Sequence, residues 1–159
     1  MPSPYKVYYP QDDSLNATFT TTKGCNYSMF FSENSILNDV PELKHKIYDF
    51  SFTIEGETRG FDARIQPTVV LYLKKFLSND KVILYTCEDK DNRGLFRKNL
   101  FSRWHSDNDD IIKKNFDFEA NEYKIYATLL YKRTFDQLQI FESATDKLYK
   151  ELNESKIDS

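Results

Sequence analysis

The chain has 159 residues, of which 40% are hydrophobic and 16% aromatic, a composition that suits one folded domain over residues 1–159. Its 22 basic and 25 acidic residues leave a formal net charge of −3. That balance argues against a nucleic-acid binder, which needs a basic excess on at least one face. Because only two histidines are present, no histidine-rich zinc site is expected.

The first residues carry no signal-peptide pattern, and no run is apolar enough to span a membrane. With Cys25 and Cys87 as the only cysteines, we expect a cytoplasmic protein whose two thiols are reduced and distant from each other.

Alternation of apolar and polar residues predicts four strands in the first third of the chain. The alternating runs cover residues 5–9, 17–21, 25–31 and 48–54. Lys23-Gly24 separates the second run from the third and predicts a tight hairpin turn, since glycine accepts positive φ. In the fourth run, the residues that share one face are Tyr48, Phe50, Phe52 and Ile54.

The pattern becomes helical after residue 61. Residues 64–78 predict a helix in which Pro67 is tolerated only in the first turn. The uninterrupted apolar run at 81–87 predicts a strand buried on both faces. The remaining predicted elements are a helix over 92–105, a hairpin over 115–133 that turns near 120–122, and a closing helix over about 135–152.

The predicted order is β-β-β-β-α-β-α-β-β-α, which indicates an α+β fold with a mixed, mostly antiparallel sheet. The core is expected at about 5–133. The closing helix is expected to start near residue 135, because Thr134-x-x-Gln137 resembles a capping box. If the strands on either side of the first helix are parallel neighbours, their connection should be right-handed.

Two stretches, "FDARIQPTVVLYLKKF" and "ILYTCEDKDNRGLFRKNLFSRW", resemble a family of small bacterial proteins of unknown function. The resemblance extends to about residue 130. It implies a fold and a size, and it implies no activity. The residues that fit the pattern of this family are Asp62, Arg64, Arg93, Arg97, Phe101 and Trp104.

The order of elements also resembles that of the GNAT-type acyltransferases. That resemblance implies an acyl-CoA pyrophosphate held on backbone amides at a helix start, here Arg59-Gly60-Phe61-Asp62-Ala63-Arg64. Asp62 stands where that family needs a glycine, and Arg64 stands where it has a small residue. Phe101 occupies the position of a tyrosine general acid, and phenylalanine has no proton to donate.

The predicted helix over 92–105 places Arg93, Arg97 and Trp104 on one stripe. If Trp104 faces the core, Arg97 is carried inward and needs an acidic partner, for which Asp62 and Asp49 are the candidates. Alternatively, Arg93 and Arg97 form an anion site with Arg59, Gly60 and Arg64, or Arg97 points to solvent.

Other chemistries receive less support from the sequence. Glu88, Asp89 and Asp91 favour a solvated turn and helix start over a metal site, because no calcium-loop motif follows. Cys87 ends an apolar strand with no nearby histidine, which favours a core residue over a nucleophile. No catalytic residue and no metal ligand is therefore predicted.

The sequence leaves two functional hypotheses. The first is a non-catalytic binding domain with a GNAT-like arrangement, no cofactor and a protein partner, since surplus aromatics can form a contact patch. The second is a divergent N-acyltransferase that binds acyl-CoA through Arg59, Gly60 and Arg64. Nucleic-acid and membrane roles are not expected.

Overall fold

The computed structural model of the chain describes residues 2–57, 60, 62–88, 110–120 and 123–154. The strands in these residues are β1 (Asn16–Thr20), β2 (Asn26–Glu33), β3 (Ile47–Glu55), β4 (Val82–Glu88), β5 (Ile111–Ala120) and β6 (Tyr123–Lys132). The helices are α1 (Ile65–Leu77) and α2 (Leu138–Glu154), and a 3-10 turn covers Pro41–Leu43.

The six strands form one mixed sheet in the order β1-β2-β3-β4-β6-β5. Every neighbouring pair is antiparallel except β3 and β4, which are parallel and are connected through α1. Among the described strands, β1 and β5 therefore lie at the edges of the sheet. The α+β class and the mixed, mostly antiparallel sheet agree with the sequence prediction.

One helix lies against each face of the sheet. On the α1 side, the alternate β3 residues Tyr48, Phe50 and Phe52 pack with Leu73 and Phe76 of the helix. On the α2 side, the opposite alternation brings strand residues against Phe141 and Phe135. Because the first half of β4 lies between the two cores, its side chains there are buried on both faces, as the apolar run predicts; Val82 and Ile83 are both completely buried.

The prediction of a strand at residues 5–9 was wrong, and with it the predicted order of elements. This segment makes a single bridge, between Tyr8 and Thr18. Its neighbours Pro4 and Pro10 cannot donate ladder hydrogen bonds. The backbone N–H of Tyr5 instead donates to the Thr68 hydroxyl on α1, at 2.8 Å. Three strands of the described residues, not four, precede α1.

The closing helix begins three residues later than its predicted start. The carbonyl of Gln137 accepts the N–H of Phe141 at 2.8 Å, so Gln137 directly precedes α2 and Thr134 lies in the turn before it. The other predicted elements are confirmed within a few residues, including the hairpin at Gly24, whose φ is +85°. The helix predicted over 92–105 lies outside the described residues.

Candidate functional site at the C-terminal ends of β3 and β4

The two parallel strands pair over only three residues and then part. Their ladder runs from Ile47–Val82 to Asp49–Leu84. Beyond it, β3 continues to Glu55 and β4 continues to Glu88 without pairing with each other. An opening between two strands of a sheet places a ligand beside strand backbone, which can hydrogen-bond to an extended molecule.

Different side chains line the two faces of this opening. On the α1 side, aromatic rings line it: Phe52 stacks on Tyr85 at 6.5 Å between ring centroids, and Phe50 lies 6.1 Å from the same ring. On the α2 side the alternation presents small hydroxyl residues, of which Thr53 and Thr86 are exposed. A ligand in the opening would therefore meet a flat aromatic surface and enter past hydroxyl groups.

The start of α1 lies at the same end of the sheet, because α1 follows the C-terminal end of β3. Asp62 places its own carboxylate just before this helix start. One carboxylate oxygen accepts the backbone N–H of Arg64 at 2.9 Å, and the other accepts the Tyr5 hydroxyl at 2.5 Å. A negative charge of the chain thus already lies at the N-terminal end of α1, where it would repel an exogenous anion.

Arg64 is used to hold the N-terminal segment. Its Nε donates to the carbonyl of Ser3 at 2.8 Å, and its Nη2 donates to that of Pro4 at 3.4 Å. The guanidinium also lies over the Tyr5 ring, 3.9 Å from its centroid. Deeper in the same contact, the buried Thr68 hydroxyl accepts the Tyr5 N–H and donates to the Arg64 carbonyl.

The charges around Asp62 keep it ionised. Partial burial acts to raise its pKa, but the hydrogen bonds from Tyr5 and the Arg64 N–H, with the positive charges of Arg64 and Lys23, hold the pKa below its usual value. Tyr27 shifts in the other direction: burial first, and then the nearby Cys25 and Asp62, raise its pKa. Tyr27 therefore stays protonated and is a poor general base at neutral pH.

Only part of the predicted anion site is described. Gly60 lies near the Lys23 ammonium, since a Cβ built on Gly60 would be 3.2 Å from Lys23 Nζ. Arg64 lies at the same helix start. Arg59, Arg93 and Arg97 lie outside the described residues, so the grouping of these arginines is still a prediction.

The two predicted acidic partners of Arg97 lie on different faces of the sheet. Asp62 contacts the α1-side segment, whereas Asp49 alternates with Tyr48 and faces the α2 side. There the Asn34 amide donates to both Asp49 oxygens, at 3.1 and 3.2 Å. The same side chain of Arg97 is therefore not expected to serve both acids.

Tyr5 and Lys23 are site residues that the sequence patterns did not reveal. The alternation at residues 5–9 predicts Tyr5 in a strand, and Lys23-Gly24 predicts Lys23 in a turn. Tyr5 and Asp62 are 57 positions apart, and nothing local in the sequence indicates that they meet. The proline spacing around Tyr5 is the one signal against a strand there.

Two open depressions lie at the opposite end of the sheet. One, of about 500 Å³, is lined by residues 133–140, and the other, of about 200 Å³, is lined by residues that include Asp80, Lys81 and Lys132. At the second depression, an Asp80 carboxylate oxygen accepts a hydrogen bond from Lys46 Nζ at 3.0 Å, and the other accepts the Asp136 N–H at 3.1 Å. These contacts join the start of β4 to the turn before α2 and explain Asp80 as structural.

Other site types find no support in the part of the chain that the structure describes. Among those residues, no group of three or more His, Cys, Asp or Glu could hold a metal ion. None of the described helices is both long and apolar enough to cross a membrane. Cys25 is a buried free thiol whose Sγ donates to the Glu57 carbonyl, so it is explained by packing.

Comparison with known proteins places the chain in a family without an assigned role. A family of unknown function, DUF6169, matches residues 61–146, which is more than half of the chain. The matched region runs from the start of α1 through the first half of α2. No curated protein matches the sequence.

Proposed function

The chain belongs to this family of unknown function, and we propose that it is a non-catalytic domain that binds another protein along the outer edge of β5. The expected bacterial and cytoplasmic setting is part of the same proposal. Two observations support it: the outward backbone groups of β5, and the Asp62 carboxylate at the start of α1.

The main support for the proposal is the direction in which the backbone N–H and C=O groups of β5 point. Arg133 N–H donates to the carbonyl of Asp110, which lies directly opposite in the β5–β6 register. Because antiparallel strands alternate inward and outward residues, the even-numbered β5 residues point their backbone groups at β6. The residues whose backbone groups point away from β6 are therefore Ile111, Lys113, Asn115, Asp117 and Glu119.

A ten-residue edge of this kind is a template for strand addition, in which an extended partner pairs with the outward N–H and C=O groups. The other edge is less suited, since Tyr8 already pairs with Thr18 of β1 and Pro10 follows closely. No other strand of the described chain pairs with the outer side of β5.

The start of α1 argues against an anionic cofactor. A pyrophosphate there would have to displace the Asp62 carboxylate from the Arg64 N–H and would face its negative charge. Arg64 would also have to release the carbonyls of Ser3 and Pro4. Both contacts stabilise the chain without a ligand.

The test compares two variants at one position. Asn115→Pro removes an outward N–H without affecting the ladder to β6, and Asn115→Ala keeps that N–H. Both variants lose the 3.0 Å hydrogen bond that the Thr128 hydroxyl donates to Asn115, so the comparison between them reports on the outward N–H of residue 115. We expect a partner cross-linked in the native host to be lost in Asn115→Pro and retained in Asn115→Ala. Equal recovery by both variants would contradict the proposal.

The parting of β3 and β4 favours a second candidate, the divergent N-acyltransferase. A gap between two parallel strands beside a helix start is an arrangement that the GNAT resemblance would use for an acyl-CoA. A ligand at 100 times its Kd stabilises a protein by about 2.7 kcal/mol. That is a rise in Tm of roughly 5–10 °C for a domain of this size.

Acetyl-CoA at millimolar concentration decides between the two candidates. Under the protein-binding proposal, the Tm stays within about 1 °C of the ligand-free value. A shift of several degrees that disappears in Arg64→Ala would support the acyltransferase. Because Arg64→Ala also loosens the N-terminal segment, each variant is compared with its own ligand-free melt.

A further inference from the structure

From Asp13 onward, the backbone is fixed by contacts of its own. An Asp13 carboxylate oxygen accepts the N–H groups of Leu15 and Asn16, at 3.0 and 3.3 Å. A tyrosine hydroxyl of α1 donates to the Ser14 carbonyl at 2.8 Å. The start of β1 therefore keeps its position without help from residues 2–9, which form the N-terminal segment.

The N-terminal segment makes few backbone hydrogen bonds. Among the described residues, only two of its N–H groups have an acceptor. The N–H of Tyr5 donates to the Thr68 hydroxyl at 2.8 Å, and the N–H of Tyr8 donates to the Thr18 carbonyl at 2.8 Å. Two residues of the segment are prolines, which have no N–H to donate. The segment thus lacks the continuous ladder that holds each strand of the sheet.

Residues just before and within the start of α1 hold most of the segment. Tyr5 is its only buried residue, and the Tyr5 hydroxyl donates to Asp62. Arg64 donates to two carbonyls of the segment, those of Ser3 and Pro4. Because Asp62 and Arg64 are two positions apart, one small group of contacts keeps the segment in place.

The segment covers the outer edge of β1. The backbone groups of Thr18 point away from β2: the N–H donates to the Tyr8 carbonyl and the carbonyl accepts the Tyr8 N–H, each at 2.8 Å. On the α1 side of the same strand, the Tyr5 ring stacks on Phe19 at 5.7 Å. Covering an edge strand with a loop is one way in which proteins prevent that edge from pairing with other chains.

We infer that the N-terminal segment is an autoinhibitory cover of the β1 edge, which opens as a unit at residues 10–12 while the sheet stays folded. The hydrogen bond between Tyr5 and Asp62 holds it closed. Local opening of this kind occurs where buried contacts and backbone hydrogen bonds are few. The open state presents the N–H and the carbonyl of Thr18 to other strands. Because β1 and β5 lie at opposite edges of the described sheet, this cover is independent of partner binding at β5.

Hydrogen exchange of single backbone amides, measured by nuclear magnetic resonance, tests the opening. Three N–H groups depend on the closed segment, those of Tyr5, Tyr8 and Thr18. We expect equal protection of all three, at least about tenfold lower than that of the Phe31 N–H. The Phe31 N–H donates to the Leu15 carbonyl between β2 and the start of β1, so it reports on the sheet. Equal protection of all four amides, or unrelated values for the first three, would overturn the inference.

A core variant separates local opening from global unfolding. Leu43 is completely buried on the opposite face of the sheet, so Leu43→Ala destabilises the domain without touching the segment. We expect exchange of the Phe31 N–H to accelerate by about thirtyfold or more. Exchange at Tyr8 and Thr18 should stay unchanged. Acceleration of all these amides by the same factor would show that the segment opens only when the whole domain unfolds.

Tyr5→Phe tests the contact that holds the segment closed. Loss of a hydrogen bond to a charged group should accelerate exchange at Tyr8 and Thr18 by about tenfold or more. Tyr9→Phe is the matched control, because the Tyr9 hydroxyl accepts only an exposed hydrogen bond from Lys75, at 3.3 Å, and its loss should change exchange by less than about threefold. Equal effects of the two variants would contradict the assignment of Tyr5.

A disulfide that locks the segment tests whether it opens as a unit. Tyr8 and Thr18 exchange both backbone hydrogen bonds, and Cα atoms in such a pair are about 5.5 Å apart, which suits a disulfide. In the oxidised double variant Tyr8→Cys/Thr18→Cys, protection of the Tyr5 N–H should rise to that of the Phe31 N–H. The reduced form should keep the fast exchange. Fast exchange of Tyr5 in the oxidised form would show fraying from the end and would overturn opening as a unit.

Discussion

At the scale of single residues, the contact between Tyr5 and Asp62 explains how the N-terminal segment is attached. The Tyr5 hydroxyl donates to Asp62 and accepts the Thr22 N–H at 3.2 Å, so it connects the start of α1 with the β1–β2 turn. Hydrogen bonds to a charged group contribute about 1.5–3 kcal/mol each. The segment depends on few such bonds, because it makes only one bridge to the sheet.

Tyr5→Phe should therefore lower the free energy of unfolding by about 1–3 kcal/mol, since the ring stays in place and the hydroxyl is lost. Its stacking on Phe19, at 5.7 Å, is retained. Urea melts of Tyr5→Phe, Asp62→Asn and the double variant measure the coupling. If the two single losses add fully in the double variant, the hydrogen bond contributes nothing.

Two glycines with positive φ form a second matched test. Gly56, with φ +112°, has the Cys25 Cα only 3.3 Å from the position of an added Cβ, whereas Gly24, with φ +85°, has open space there. Gly24→Ala should cost about 1 kcal/mol of conformational strain. Gly56→Ala should cost more, because the clash is with backbone. If urea melts give the two variants an equal loss in the free energy of unfolding, the close approach of the Cys25 backbone to Gly56 is unimportant.

At the scale of elements, α1 is held by one buried stripe. Leu73 is completely buried between helix and sheet, and Leu71, two residues earlier on the same helix, is 59% exposed. Leu73→Ala should cost about 2–5 kcal/mol through lost contacts and the cavity left behind. Leu71→Ala should change the free energy of unfolding by less than about 0.5 kcal/mol. Urea melts of the two variants check which face of α1 is buried against the sheet.

The turn before α2 depends on the charge of Asp80. Burial acts to raise the pKa of Asp80, but hydrogen bonds from the Asp136 N–H and Lys46 lower it below its usual 3.8. A lowered carboxyl pKa contributes stability above the usual value, and this contribution is lost as the pH falls through the lowered pKa. Asp80 has φ +59°, a conformation that asparagine also tolerates.

Asp80→Asn should thus be destabilising near neutral pH, and its difference from the wild type should shrink as the pH falls below 3.8. Urea melts across that range measure it, with the exposed Asp39→Asn as a control. A difference that does not vary with pH would show that the contacts of Asp80 do not require its charge.

At the scale of the whole molecule, the sheet is shared by both cores. Residues of β4 and β6 belong to the α1-side core on one face and to the α2-side core on the other. A shared sheet predicts that the α1 side and the α2 side unfold together in one step. Far-ultraviolet and near-ultraviolet circular dichroism should give one coincident urea transition. Two separated transitions would show that the α1 side and the α2 side unfold independently.

The sequence by itself determined the strands β2, β3 and β4, the hairpin of β5 and β6, and the helix α1. Their periodicities of two and 3.6 follow from which face is buried, and a period is a local property of the chain. It also placed the turn at Gly24, because a positive φ favours glycine. The class of the fold follows from these elements, since each apolar face must meet another.

Only the tertiary structure decided what the alternation at residues 5–9 and the capping pattern at Thr134 mean. Both patterns are ambiguous locally, and the outcome depends on hydrogen-bond partners such as Thr68, which is 63 positions from Tyr5. Likewise, the parting of β3 from β4 and the position of β5 at an edge depend on which strands become neighbours. Pairing across long stretches of chain leaves no short-range pattern, so the candidate sites appeared only once the sheet was assembled.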